Sequence, residues 1–393
     1  MRIAIITDNS PEDKKGAFMA THNRIKYLLA HKDLEVDVFS IQEYENWLTR
    51  RLRKTKRVKK EPFYKYDGIT YKYLWKDFSI FNYILRSIFH KQSPFLIYSL
   101  YKWRKLFFSY DLLSAHSYVP GILAYMIHKE NKIPYTITWH GSEIHTDPQK
   151  NNTILKWTKK LIKNATMNFF VSESLLLKSN EFIYSTNKQV LYNGVDPLIF
   201  NNQNRSKPKD DQSFNELSYH IAFIGSLLTV KNAELLPSIF ETIFHHQSNI
   251  FFHVIGDGKL KTQIEVQCKQ LNLPIRFYGN LSPEQMPHIL HQLDLILLPS
   301  KNEGLPLVAL EALACGVAVI GSRVGGITEI IGLNNTVPLN ENFIPEFADL
   351  AIQKINNPTK IILANEFSWE KTAEKEYEFY KKSCRSRYHI KIS

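Results

Sequence analysis

The sequence predicts two Rossmann-like, doubly wound α/β domains joined by a linker and facing a central cleft. Three observations carry this expectation. A chain of 393 residues suits two such domains better than one. Short apolar, β-rich runs alternate with helical patterns in two separate series. Between the series lies a polar stretch, residues 201–218, rich in Asn, Gln, Lys and Asp and containing Pro208, which reads as the linker.

The elements follow in order. Residues 2–8 form a buried first strand, a polar loop with Pro11 and Gly16 follows, and a helix runs from about Ala17 to Ala30. Val36–Ser40 is a second short strand. Residues 41–110 break the pattern as a basic and aromatic insertion, in which helices are expected around 78–90 and 94–108. Strands resume at Asp111–His116, Tyr135–Trp139, Met167–Val171 and Gln189–Tyr192, with a helix over 151–164 and Ser172 as a helix N-cap. The second series opens at Tyr219–Gly225 and continues with strands at 250–256, 275–278, 294–298 and 317–321. Units of roughly 20–25 residues fit parallel strand–helix–strand repeats. The expected domains are therefore 1–200 and 219–366, and the tail 367–393 is a charged helix packing back on the first domain.

Composition narrows the function. Hydrophobic residues at 44% and charged residues at 22% support a folded core rather than disorder. Cys268, Cys315 and Cys384 are odd in number and form no C-x-x-C pattern, so they are expected to be buried thiols in a reducing compartment. The N-terminus lacks a signal-peptide pattern, and no stretch approaches the ~18 apolar residues needed to span a bilayer. The chain is thus expected to be cytoplasmic. Its net charge of +12 points to polyanions, and eight of the eleven residues from Arg50 to Lys60 are Lys or Arg. That run, with Trp75, Phe78, Phe81, Tyr83, Phe107 and Phe108, predicts docking at an anionic membrane surface, unless the run is solvated and the aromatics are core.

The stretch Pro299–Ile320 carries the most chemistry. A strand ends in a loop where Gly304 lets backbone approach a ligand, Pro306 suits a first helical turn, and Gly316 ends the helix. The helix amino end is a phosphate site in waiting. Glu303 precedes it and Glu311 lies within it, and each carboxylate can accept two hydroxyls. From the residues alone, a plain strand–helix unit with solvated glutamates fits equally well.

This E-x7-E stretch, followed by Gly321–Ile331, resembles the signature of the retaining GT-B glycosyltransferases of family 4 (glycosyl transferases group 1), over about thirty residues without a gap. The resemblance implies that Glu303 contacts the donor sugar, Glu311 the nucleotide ribose, and the amides at Gly304 and Leu305 the diphosphate. Ile221–Leu227 with Lys231 is similar to the family's strand, G-R-L and lysine segment, so Gly225 would approach the donor and Lys231 would neutralise its diphosphate. The usual arginine is Ser226 here, and Arg323 is the candidate to stand in for it. Val254–Gly258 and Phe277–Asn280 resemble the next two turns, placing Gly256 near the nucleotide and Asn280 near the base; for the glycines a purely structural turn is an equal alternative.

In the first domain, Gly16 matches the glycine that lets backbone reach the donor phosphate. Thr138–Glu143 resembles the H-G-[ST]-D segment, with Glu143 where aspartate is commoner. It implies that His140 binds the donor sugar and supports charge at the reacting carbon. His116 is a second candidate, on the acceptor side, and Tyr192–Asp196 matches an N-G-V-D segment.

The expected activity is therefore retaining transfer of a sugar, from a UDP- or GDP-linked donor, to an acceptor hydroxyl. The resemblance places such acceptors on a lipid carrier or a growing cell-surface glycan at the inner membrane face. It implies no metal and no further cofactor, and the sequence has no Asp-x-Asp to hold a divalent ion. Two rivals are a sugar-nucleotide epimerase on the same fold and a nucleic-acid-binding protein. No recognition-helix, zinc or RNP pattern supports the second.

Overall fold

The computed structural model describes all residues except 11, 13–15, 56–58, 80–98, 204–217, 359–361 and 391–393, with residues 385–390 described by backbone alone. The chain divides into two compact units, Met1–Asn193 with Trp369–Ser393, and Gly194–Ser368.

The first unit is built on an eight-stranded sheet, in the order β3-β4-β2-β1-β5-β6-β7-β8. The strands are β1 (Arg2–Thr7), β2 (Glu35–Glu45), β3 (Phe63–Tyr66), β4 (Ile69–Phe78), β5 (Leu112–His116), β6 (Tyr135–Trp139), β7 (Met167–Phe170) and β8 (Lys188–Val190). All pairings are parallel except the β3–β4 hairpin. The helices of this unit are α1 (Gly16–Leu28), α2 (Trp47–Arg53), α3 (Tyr118–Asn131), α4 (Ser142–His145), α5 (Asp147–Lys150), α6 (Asn152–Asn164) and α7 (Glu173–Asn180). Strands β1, β5 and β6 are buried along nearly their whole length because helices cover both faces of a parallel sheet, and the polar Ser114, Thr136 and Thr138 are buried with them. Ser172 caps α7, accepting from the Leu175 amide at 3.2 Å.

The second unit holds a six-stranded, wholly parallel sheet in the order β11-β10-β9-β12-β13-β14. Its strands are β9 (Tyr219–Ile224), β10 (Ile250–Ile255), β11 (Ile275–Gly279), β12 (Leu295–Leu298), β13 (Ala318–Ser322) and β14 (Thr336–Val337). Its helices are α8 (Leu236–His246), α9 (Lys261–Gln270), α10 (Met286–Leu290), α11 (Leu307–Ala314), α12 (Ile327–Ile331) and α13 (Phe343–Asn356). The last helix of the chain, α14 (Trp369–Ile390), returns to the first unit. There Tyr380 donates to Ser114 of β5 at 2.8 Å, and the buried Arg24 of α1 lies 3.3 Å from the equally buried Glu376.

Residues 41–110 differ from their sequence reading. They are not an appendage: β2 runs five residues past the expected Ser40 because β4 pairs along it from Val38↔Tyr71 to Glu45↔Phe78. Tyr71, Tyr73, Phe78, Phe107 and Tyr110 are buried. Phe107 packs edge-on to Phe39 with ring centroids 4.9 Å apart. Two of the aromatics expected at an acyl interface, Phe78 and Phe107, are therefore core, while Phe81 and Tyr83 lie outside the described residues. Of the expected helices at 78–90 and 94–108, residues 80–98 lie outside the described residues; Phe78 is the last residue of β4, and Arg104–Phe107 is a 3-10 turn. The expected linker falls mostly outside the described residues. Cys268, Cys315 and Cys384 are all buried, and none forms a disulfide. Among the described residues no helix is long and apolar enough to cross a membrane.

Candidate active site

Doubly wound sheets offer a ligand crevice where the strand order reverses, at the carboxyl ends of the strands. In the second unit the chain builds β9, β10 and β11 in one direction and then β12, β13 and β14 in the other, so the reversal lies between β9 and β12. The loops leaving those two strands carry Lys231 and Glu303. They are 72 residues apart in sequence, yet Lys231 Nζ lies 2.5 Å from Glu303 Oε1. Ser300 Oγ donates to the same carboxylate oxygen at 2.7 Å. The loops are stitched together by the Lys301 amide on the Val230 carbonyl at 2.9 Å and by Asn232 Nδ2 on the Pro299 carbonyl at 2.8 Å. The Glu303 side chain is only 10% exposed, so its charge is held by partners rather than by water.

Glycines set the backbone of this site. Gly325 has φ +49°, and a Cβ there would lie 2.0 Å from the Glu303 carbonyl oxygen. A Cβ on Gly326 would lie 2.1 Å from the Gly304 carbonyl oxygen, which instead accepts the Gly326 amide at 3.1 Å. Only two bare α-carbons let the loop after β13 seat against the loop after β12. Gly304, Leu305 and Pro306 are buried behind that contact. From there α11 begins with Pro306 as N-cap and no side chain capping it. Glu311, half-buried on α11, has its carboxyl pushed up to about 7 by burial.

The flanking turns have a similar logic. Gly225 gives its amide to the Ile255 carbonyl at 2.9 Å, and Gly256 gives its own to the Gly279 carbonyl at 2.7 Å. A Cβ on Gly256 would meet the Gly225 carbonyl oxygen at 2.0 Å. These glycines thus have a packing role of their own, while Asn280 stands exposed beyond β11. Arg323, the candidate replacement for an arginine at Ser226, is engaged elsewhere. Its Nη2 donates to the Thr336 carbonyl at 3.2 Å on β14.

In the first unit the strand order reverses between β1 and β5. The residues that meet there are Asp8, just past β1, and Ser117, just past β5, whose Oγ donates to Asp8 Oδ1 at 2.6 Å. Burial pushes the Asp8 carboxyl up. Ser117 adopts φ +82°, an uncommon conformation for a residue with a side chain. Sequence reading missed both residues. The available signal was their place immediately after the two strands that flank the reversal, and strand order is not visible in sequence. It also missed Ser300 and the buried Lys76 of β4, which pairs with Glu43 at 2.9 Å.

His140 follows β6, and His116 ends β5. Their rings stack with centroids 5.5 Å apart, and His116 Nδ1 is 3.3 Å from His140 Nε2. His116 is wholly buried, with its Nδ1 3.5 Å from Thr21 Oγ1 and 3.3 Å from His140 Nε2. Burial holds both imidazoles neutral, His116 well below its usual range and His140 down at about 3, with Arg24 adding repulsion. Glu143 accepts the amides of His140 at 3.2 Å and Gly141 at 3.0 Å, which fixes the loop that presents His140. Gly16 opens α1 and is exposed, and a Cβ added there would meet nothing within 4 Å. Among the described residues no group of three or more His, Cys, Asp or Glu is placed to hold a metal ion.

Two family models match the chain, one over each unit. The family model described as Glycosyltransferase Family 4 matches residues 21–197, and that described as Glycosyl transferases group 1 matches residues 204–382. A putative teichuronic acid biosynthesis glycosyltransferase of Bacillus subtilis is 25% identical over 343 residues, covering 84% of this chain and 83% of that one. The N-acetyl-alpha-D-glucosaminyl L-malate synthase of Bacillus anthracis is 29% identical over 256 residues, covering 63% and 66%. Among solved structures, a sucrose-phosphate synthase from Thermosynechococcus elongatus superposes with a TM-score of 0.73 over 97% of this chain and 98% of its own, at 16% identity. An Anabaena protein solved with UDP and glucose gives 0.72 over 97% and 100%, at 15% identity.

Proposed function

We propose, from the premise that the chain belongs to the family 4 glycosyltransferases of the GT-B fold, that it is a retaining, metal-independent enzyme of cell-surface glycan synthesis. It is a glycosyltransferase acting on nucleotide sugars. In the proposed reaction the sugar of a UDP- or GDP-linked donor passes to a hydroxyl of an acceptor that is lipid-linked or part of a growing glycan. The relative named as a putative teichuronic acid biosynthesis glycosyltransferase supports that class of acceptor.

One observation carries the donor assignment: Lys231 and Glu303 converge at the strand reversal of the second unit, beside the uncapped start of α11. On donor binding, Lys231 turns from Glu303 to the diphosphate, which takes over its charge. The amides at the start of α11 face the same phosphates. Glu303 is then released to accept sugar hydroxyls, and Glu311 meets the ribose. Gly225, Gly256 and Asn280 shape the nucleotide side.

In the first unit His140 acts as a neutral imidazole, because burial keeps it unprotonated. It can therefore hydrogen-bond a donor hydroxyl without placing a positive charge near an oxocarbenium-like carbon. His116 and Glu143 position it. The acceptor hydroxyl attacks on the face the diphosphate leaves, and a leaving phosphate oxygen takes its proton. Charge neutralisation by Lys231 and backbone amides replaces a metal in this scheme.

The test is a panel of UDP- and GDP-sugars in a thermal-shift assay, since a true donor raises the melting temperature by mass action. The expected result is stabilisation by one donor, undiminished by excess EDTA, and a product that keeps the donor's anomeric configuration by NMR. Stabilisation that needs Mg²⁺ or Mn²⁺, or an inverted product, would overturn the mechanism. A product released without any acceptor and with the nucleotide still attached would favour an epimerase.

A further inference from the structure

The short helix α2 is inside out for a soluble protein. Trp47, Leu48 and Leu52 are 66%, 40% and 55% exposed, whereas its buried residue is the polar Thr49. At 100° per residue, Trp47, Arg51, Leu48 and Leu52 fall on one continuous arc, with Thr49 and Arg53 on the other side. The outward face therefore presents an indole and two leucines with the exposed Arg51 among them. The basic residues Arg50 and Lys54 border it, and no acidic residue lies in the helix.

This arrangement is fixed rather than loose. Asn46 caps the helix by accepting the Thr49 amide and hydroxyl, each at 2.8 Å. Lys54 ends it with φ +53° and its amide on the Arg50 carbonyl. Arg53 is tied to Glu45, and its guanidinium lies 5.1 Å from the Phe78 ring centroid. The anchors at both ends leave the apolar arc no route inward. Its place in the fold is equally specific: α2 follows the carboxyl end of β2, the same sheet edge at which β5 and β6 deliver His116 and His140.

We propose that α2 is the element that seats the enzyme on an anionic bilayer, with Trp47, Leu48 and Leu52 entering the headgroup–acyl boundary and the flanking Arg and Lys residues meeting lipid phosphates. It rests on the proposed membrane-borne acceptor and gives that reading a definite surface. Apolar residues ringed by cations fit the headgroup boundary, where both are satisfied at once. The occupant is lipid rather than protein because every charged residue in the helix is cationic. A second basic helix, α6, carries Lys156, Lys159, Lys160 and Lys163 but exposes no large apolar side chain, so it lacks the means to insert.

The probe is co-sedimentation of the full chain with phosphatidylcholine vesicles, with and without phosphatidylglycerol, at low and high salt. Wild type is expected to bind the anionic vesicles, more weakly at high salt. The triple variant Trp47→Ser, Leu48→Ser, Leu52→Ser is expected to lose at least roughly tenfold in partition coefficient, and Arg51→Gln a smaller amount. Lys156→Gln, Lys159→Gln, Lys163→Gln on α6 should retain binding within about twofold. The three apolar residues are exposed, so folding is checked by an unchanged melting temperature and an unchanged donor-induced shift. Binding that survives the triple variant, or that is lost on α6 instead, overturns the proposal. So does a dimer of wild type, seen by sedimentation, that the triple variant abolishes, since a second copy would then cover the face. Failure of the donor shift in wild type would sink the enzymatic reading, whereas failure of vesicle binding with the donor shift intact sinks only this one.

Discussion

Gly325→Ala tests whether the loop that carries Glu303 is held by backbone contact. The new Cβ would stand 2.0 Å from the Glu303 carbonyl oxygen, where Cβ atoms do not come closer than 3.0 Å, so one loop must retreat by about 1 Å. The residue also sits at φ +49°, where a side chain adds about 1 kcal/mol. Overpacking of this kind costs about 1–3 kcal/mol more. A total on the order of 3 kcal/mol should lower the melting transition of the second unit by about 6–12 °C. Because the retreating loop carries Glu303 beside Lys231, donor affinity should fall with it. The assay is thermal unfolding followed by UDP titration. The matched control is Gly16→Ala, which meets nothing within 4 Å and should leave the melt unshifted. If Gly325→Ala melts and binds like wild type, the close seating of the two loops does not organise the site.

Three further outcomes follow from the same structure. Lys231→Met should weaken UDP binding by about tenfold or more, through loss of a charged hydrogen-bond donor, with titration calorimetry as the measurement. Glu311 has its folded carboxyl raised to about 7 against 4.5 unfolded, so its contribution to stability is full below about 4.5 and is lost as pH rises through 7. After allowance for partial exposure the loss is on the order of 2 kcal/mol, and Glu311→Gln should flatten that part of the stability–pH curve. Glu376→Ala should destabilise the first unit by about 3–5 kcal/mol, because it leaves Arg24 buried without its carboxylate; a denaturant melt of that unit within experimental error of wild type would refute it.

Residues 299–331 are legible in sequence because their demands are local. A strand must end, glycine must turn, a helix must start, and each leaves its mark within a few positions. The parallel strands are legible for a related reason: burial on both faces favours short apolar runs, as in Ile3–Ile6 of β1 and Leu295–Leu298 of β12. The stretch 41–110 defeats such reading because its aromatics and cations carry no period. Whether Phe78 faces lipid or core depends on β4 pairing with β2, a contact between residues more than thirty positions apart.

What the sequence by itself determined is the fold class, the order of most of the elements, and the strand–loop–helix unit that carries Glu303 and Glu311. What only the tertiary structure decided is which groups meet. Strand order brings Lys231 to Glu303, Asp8 to Ser117 and His116 to His140, and it turns the apolar face of α2 outward. The physical reason is that propensity and patterning act over a few residues, whereas hydrogen bonds, ion pairs and burial depend on distances in space, and those are set by how a whole sheet orders its strands.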